Sequence, residues 1–226
     1  MIVDSHCHAW RYWPYEPPVP DPLSRPAVEQ LLFEMDQCGV QEAVLVAARI
    51  DHNPDNNDYV AYCVRRFPDR LYQFADVDCM WTPTYHTPGA ADRLAEQFPD
   101  TPIVCHHMGY PVTEQGPDGV ALKEVIASAG QSNIHIKLSG LHYATPLGWE
   151  YPHTASAFMV RALYEHFGPE RLHWGSDYPV VRWAMTYRQA LDVIRVHCAN
   201  IIPSADMDRL LGSSMHDLLL KHGSSA

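Results

Sequence analysis

The sequence predicts the α/β class and, within it, a TIM-type (β/α) barrel shortened to about six recognisable strands. Three observations predict this. Short apolar runs alternate with amphipathic helical patterns, which implies parallel strands covered by helices. The polar residues suited to chemistry collect at the C-terminal ends of those runs, where barrel enzymes place their sites. No Gly-x-Gly-x-x-Gly follows the first run, which disfavours an open nucleotide-binding sheet. At 226 residues, 46% hydrophobic and 19% charged, the chain is expected to form one domain over residues 1–226.

Residues 2–6 form the first apolar run, followed by a polar, Pro-rich loop over 12–26. Pro26-Ala27-Val28 opens a helix with Val28, Leu31, Leu32 and Met35 at helical spacing, ended by Gly39. Residues 42–48 (EAVLVAA) read as a buried strand. Asp58 is expected to cap a helix running to Arg66, and residues 71–77 to form the third strand. A short helix over 90–98 precedes the fourth strand, 102–106 (PIVCH), and a helix over 119–129 precedes the fifth, 134–139 (IHIKLS). In that fifth strand Ile134, Ile136 and Leu138 share one face, so His135 faces the other way as a structural histidine. A helix over 154–167 leads to the sixth strand, 172–176 (LHWGS), and the chain is helical and amphipathic from about residue 186.

Sixteen Lys and Arg against 27 Asp and Glu leave a net charge of −11, which argues against a broad grip on nucleic acid or anionic lipid. No apolar run reaches the ~18 residues of a membrane span. A small-molecule partner is the expectation. The six cysteines include no C-x-x-C pair and read as reduced, mostly buried thiols. With no signal-peptide pattern at Met1-Ile2-Val3-Asp4, a cytoplasmic location is expected.

The segment Asp4-Ser5-His6-Cys7-His8 carries the strongest chemical signal. Side chains two apart on a strand share a face, so Asp4, His6 and His8 are expected in one column, and two imidazoles there can bind one divalent ion. Asp177 follows the sixth strand in a tight Gly/Pro context, Gly175-Ser176-Asp177-Tyr178-Pro179, either as a site carboxylate or as the cap of a following turn. The adjacent His106 and His107 must point to opposite sides of a strand, so at most one is expected to face the site. Arg49, after the second strand, and Arg182, five residues past Asp177, are candidate substrate contacts whose guanidinium forks suit carboxylates. Tyr12, Trp13, Tyr15, Tyr143 and Trp149 are candidate walls, and His142 and Tyr143 follow the fifth strand's end.

As a set, Asp4/His6/His8, His107-Met108-Gly109 and Ser176-Asp177-Tyr178-Pro179 resemble the D-x-H-x-H, D-H-[ML]-G and S-D-x-P elements of the amidohydrolase superfamily. The likeness is to its amidohydrolase-related branch of fuconolactonase-like and dicarboxylate-lactone hydrolases. Asn57-Asp58-Tyr59 and Phe67-Pro68-Asp69-Arg70 look like that branch's second helix. The resemblance implies an eight-stranded barrel, of which this chain's strands match the first three and the sixth to eighth. Residues 78–101 leave 24 positions where two βα units would need ~50–60. The third and fourth strands here are therefore expected either to pair directly or to leave two open edges, with either self-association across that seam or marginal stability.

The resemblance further implies a hydrolase of a small cyclic ester, and Arg49 and Arg182 point to an anionic one. His6, His8, His107 and Asp177 would hold one divalent ion, zinc first and manganese second. Asp177 would move the proton, and His107 would ligate or polarise the carbonyl; Arg49, Tyr143 and Arg182 would contact substrate. Three alternatives stand beside this: a metal-free lactonase using the same histidines as hydrogen-bond donors, a metal-dependent non-oxidative decarboxylase, and an inactive shortened member that only binds.

Overall fold

A computed structural model describes residues 1–16, 18–50, 53–75 and 89–222. Six strands alternate with helices. In chain order they are β1 (Val3–Cys7), α1 (Val28–Cys38), β2 (Glu42–Val46), α2 (Asn56–Arg66) and β3 (Leu71–Phe74), then α3 (Ala90–Gln97), β4 (Ile103–Cys105), α4 (Val120–Ala127), β5 (Ile134–Leu138), α5 (Ala157–Phe167) and β6 (Leu172–Trp174). Three helices complete the chain: α6 (Tyr187–Arg195), α7 (Ser204–Leu211) and α8 (Ser213–His222).

Most element ends follow local chemistry. Helix α1 stops where Gly39 takes a left-handed conformation at φ 70°, and its N–H returns to the carbonyl of Asp36. Helix α6 starts with a capping box between Thr186 and Gln189. Asp58 does not cap α2: that helix begins at Asn56, leaving Asp58 in its first turn, where an acid suits the helix dipole. Residues 76 and 77 of the expected third strand lie outside the described residues, as do Cys79, His52 and His86.

The strands form two parallel sheets, β1-β2-β3 and β4-β5-β6, as βα alternation demands. Among the described residues, backbone hydrogen bonds join the two sheets at one side. Past the strand ends, the Asp177 N–H donates to the His6 carbonyl at 2.8 Å and the His8 N–H to the Tyr178 carbonyl at 2.7 Å. These bonds lay the chain after β6 alongside β1. Of the two expected arrangements, direct pairing of β3 with β4 is not found, since no ladder joins them among the described residues. Tyr72, Phe74 and Val104 of those two strands instead pack with Val3 and Val44 on a plug of Met215 and Leu219 from α8. The outer faces of the strands are covered by the helices in a larger cluster that includes Ile134, Ile136, Leu163 and Leu191.

The five described cysteines are free thiols, four of them buried. Among the described residues no helix is long and apolar enough to cross a membrane.

Candidate active site

The end of β1 is held in place by Asp4. Its buried carboxylate accepts hydrogen bonds from the Ser176 N–H (2.9 Å), the Ser176 hydroxyl (2.5 Å), the Tyr187 hydroxyl (2.9 Å) and the His6 N–H (3.1 Å). The β1–β2 register shifts between Asp4 and Cys7. The expected column of Asp4, His6 and His8 is thereby broken: Asp4 fastens β1 to the segment after β6 and does not line the site. Burial pushes its carboxyl up to about 6 against the four donors that favour the anion. Gly175 completes this contact, because a Cβ there would lie 2.6 Å from the Cβ of His6.

Past the irregularity, His6 and His8 converge on Asp177. The Oδ1 of Asp177 lies 3.5 Å from His6 Nε2 and 3.4 Å from His8 Nε2. Its Oδ2 accepts from the Tyr143 hydroxyl at 2.9 Å and lies 3.8 Å from His142 Nε2. Asp177 adopts φ 60°, which turns its side chain into the site instead of onto the following turn. His8 Nδ1 is 2.7 Å from the carbonyl of Val46. A carbonyl only accepts, so the proton of a neutral His8 sits on Nδ1 and Nε2 presents a lone pair.

His106 and His107 both line the site, contrary to the strand rule. The backbone leaves extended geometry at once, with φ 48° at His107 and 58° at Met108, so alternation no longer applies. His107 Nδ1 lies 2.9 Å from the Ser139 hydroxyl. Gly140, at φ 66°, makes room for that ring, since a Cβ would come within 2.5 Å of its Nδ1. Nitrogens of His6 and His107 and a carboxylate oxygen of Asp177 lie within 4.8 Å of one another.

These groups open into a cavity of about 330 Å³ walled by Tyr15, Val46, Tyr110, Tyr143 and Val180. Of the expected aromatic walls, Tyr15 and Tyr143 line it. Trp13 stands behind Tyr15 at 5.4 Å between ring centres, while Tyr12 and Trp149 are exposed. Neither Arg49 nor Arg182 lines the cavity: Arg49 is exposed, and Arg182 faces Asp21 at 3.4 Å. All sixteen Lys and Arg of the sequence fall among the described residues, and none of them is a wall.

Lys137, which sequence reasoning did not single out, is fully buried, with Nζ 3.5 Å from His6 Nδ1 and 4.7 Å above the Phe74 ring. Its signal was present, because alternation with Ile134, Ile136 and Leu138 sends Lys137 to the same face as His135.

Burial governs the charges in the site and pushes Lys137 itself down to about 7. Burial and the Lys137 charge hold His6 far below the ordinary imidazole range, and the same two causes push His106 down to about 2. Burial also lowers His107, so all three rings are neutral. Burial opposes the Asp177 anion, yet the polar groups around it, with the Tyr143 hydroxyl donating to Oδ2, hold its carboxyl well below the usual range. Burial and Asp177 both raise Tyr143, which remains a phenol donor.

The donor set fits a divalent cation. His6 Nε2 is buried without a hydrogen-bond partner, His8 Nε2 carries a lone pair, and a carboxylate lies between them. Neutral imidazoles with a carboxylate, open on one side, are the ligand class of catalytic zinc. The contacts at His8 Nδ1 and His107 Nδ1 are of the kind that orient such ligands.

A parallel α/β scaffold with a His/Asp cluster at its strand C-termini defines a barrel-type enzyme scaffold. The amidohydrolase family model matches residues 80–212, more than half of the chain, and the chain belongs to that family. An L-fucono-1,5-lactonase from Burkholderia ambifaria is 38% identical over 113 residues, which cover 47% of this chain and 36% of that protein. The chain thus aligns with about a third of the length of this curated relative. An amidohydrolase from Burkholderia multivorans with bound zinc superposes with a TM-score of 0.70 at 17% identity, covering 96% of this chain and 98% of that one. A probable 2-pyrone-4,6-dicarboxylic acid hydrolase from Acinetobacter baumannii with citric acid bound gives 0.72 at 18%, with the same coverages. Both structural likenesses establish a barrel-like fold.

Proposed function

We propose that this chain hydrolyses a small, uncharged lactone by water attack on the ester carbonyl. The observation that carries this reading is the buried Asp177 carboxylate, 3.5 and 3.4 Å from two imidazole nitrogens, at the floor of a cavity sized for a small ring. Kinship with the fuconolactonase over part of its length supports the reaction class.

Oδ1 of Asp177 is positioned to take the proton of the attacking water. Oδ2 is occupied by the Tyr143 hydroxyl, which orients the carboxylate and keeps it anionic. After the carbonyl carbon gains the water oxygen and the ring C–O bond breaks, the proton on Asp177 passes to the departing alkoxide oxygen. The Ser139 hydroxyl can either donate to His107 Nδ1 or accept from it. His107 Nε2 therefore serves either as an N–H donor to the carbonyl oxygen or as a ligand. A zinc ion held by His6, His8, His107 and Asp177 would supply Lewis acidity, polarising the carbonyl and lowering the pKa of water towards ~7.

The expectation of an anionic substrate rested on Arg49 and Arg182, and neither faces the cavity. With no cation bound, a carboxylated substrate would meet the Asp177 anion with no guanidinium or ammonium among the walls to offset it. Three tyrosines and the imidazoles instead offer neutral hydrogen-bond partners to a hydroxylated ring.

The test is ring opening followed by proton release, comparing a neutral sugar δ-lactone with a pyrone dicarboxylate. The neutral lactone is expected to turn over with the higher kcat/KM, and Asp177→Asn to lose ~10²–10⁴ of it. Faster turnover of the dicarboxylate would refute the charge argument. Release of CO₂ from an aromatic acid without lactone opening would replace hydrolysis with decarboxylation.

A further inference from the structure

One partly buried contact beside the ligand set plays no part in the reaction above. His106 Nδ1 lies 2.9 Å from His6 Nδ1, with the rings inclined at 73°. Two nitrogens that close share a proton, one as donor and the other as acceptor. A neutral imidazole carries a single N–H. If that of His6 is on Nδ1, it goes to His106, and Nε2, 3.5 Å from Asp177, presents a lone pair to the centre. If it is on Nε2, it points at Asp177 and His6 cannot serve as a ligand.

A second group competes for the same nitrogen. Lys137 Nζ stands 3.5 Å from His6 Nδ1, and an ammonium there can only donate, which selects the second state. The His106 contact is shorter by 0.6 Å. His8 has no such choice, because its Nδ1 faces a carbonyl. His6 is therefore the one β1 imidazole whose tautomer another side chain decides.

We propose that His106 is a positioning residue whose Nδ1 accepts the His6 Nδ1–H, holding His6 in the tautomer that makes Nε2 a metal ligand. The left-handed turn that begins at His107 is what allows the His106 and His107 rings to face the cavity together. The metal-ligand part rests on the reading of the site given above; the tautomer part does not.

The test uses the full chain, stripped with a chelator and labelled with ¹⁵N-histidine. Long-range ¹⁵N–¹H spectra report the tautomer, with the His6 signals assigned through His6→Gln, and competition with a chromophoric chelator gives zinc affinity. The wild type is expected to show His6 protonated on Nδ1. In His106→Leu, which removes the acceptor, His6 should move to Nε2–H and zinc affinity should fall about 10–100-fold. In His106→Asn the side-chain carbonyl still accepts, so tautomer and affinity should both be largely restored. His6 protonated on Nε2 in the wild type overturns the proposal even if no variant folds. An unchanged tautomer in His106→Leu, or equal losses in the Leu and Asn variants, overturns it too. Should the wild type bind no zinc, the metal reading fails by itself, and the tautomer of His106→Leu against wild type still decides the role of His106.

Discussion

Gly175→Ala isolates the contact on which the site geometry depends. The added methyl carbon would sit 2.6 Å from the Cβ of His6, 3.0 Å from its backbone nitrogen and 3.2 Å from the Ser5 hydroxyl oxygen. Carbon atoms in contact settle at ~3.5–4.0 Å, so β1 and the segment after β6 must separate by about 1 Å. Neither side yields easily. The two segments are bonded from the Asp177 N–H to the His6 carbonyl at 2.8 Å, and Asp4 binds both the N–H and the hydroxyl of Ser176. Overpacking of this kind costs about 1–3 kcal/mol, and a misplacement of ~1 Å in a catalytic constellation costs about 100-fold in rate. Urea unfolding reads the first quantity, and kcat/KM for lactone opening the second. An alanine variant within ~0.5 kcal/mol of wild type, with full activity, would show that β1 and the Ser176 loop are not held at this distance.

Three further outcomes are expected. Tyr143→Phe removes a charge-assisted hydrogen bond of ~1.5–3 kcal/mol to Asp177, so kcat/KM should fall about 10–100-fold without loss of fold; circular dichroism and kinetics check both halves. His135 and His173 form a stacked pair with His135 Nδ1 2.9 Å from His173 Nε2, and burial holds His135 down to about 4 and His173 well below its ordinary range. Both are neutral in the fold but protonate on unfolding below ~6.5, so stability is intact above that pH and lost as pH falls towards 4. The loss from His135 is on the order of 3 kcal/mol, and the Tm of His135→Leu/His173→Leu should depend less on pH over that window. The β3 and β4 edges, with no ladder between them among the described residues, predict concentration-dependent self-association in sedimentation. A monomer at high concentration with a high Tm would count against it.

Strand and helix order were legible because hydrophobic periodicity is local: IHIKLS declares which residues face the helices, and Gly39 declares where α1 must stop. His6, His8, His107 and Asp177 were legible for a related reason. Each stands at or just past the end of an apolar run, and parallel strands bring all their C-terminal ends to one face. Where the reading went astray, a local rule was overruled by contacts distant in sequence. Asp4 left its column because Ser176 and Tyr187, more than 170 residues away, offer it hydrogen bonds. His106 joined His107 because a left-handed backbone cancels strand alternation.

Residue pattern thus pointed to the class of fold, the strands that carry the chemistry and the His6/His8 pair, since these follow from periodicity and parallel topology, whereas His107 and Asp177 were picked out by the motif resemblance. The charge of the pocket, the tautomer of His8 and the roles of His106, Lys137 and Tyr143 were decided by folding. Each depends on which atom faces which across less than 4 Å, and no pattern along one strand records the orientation of its neighbour.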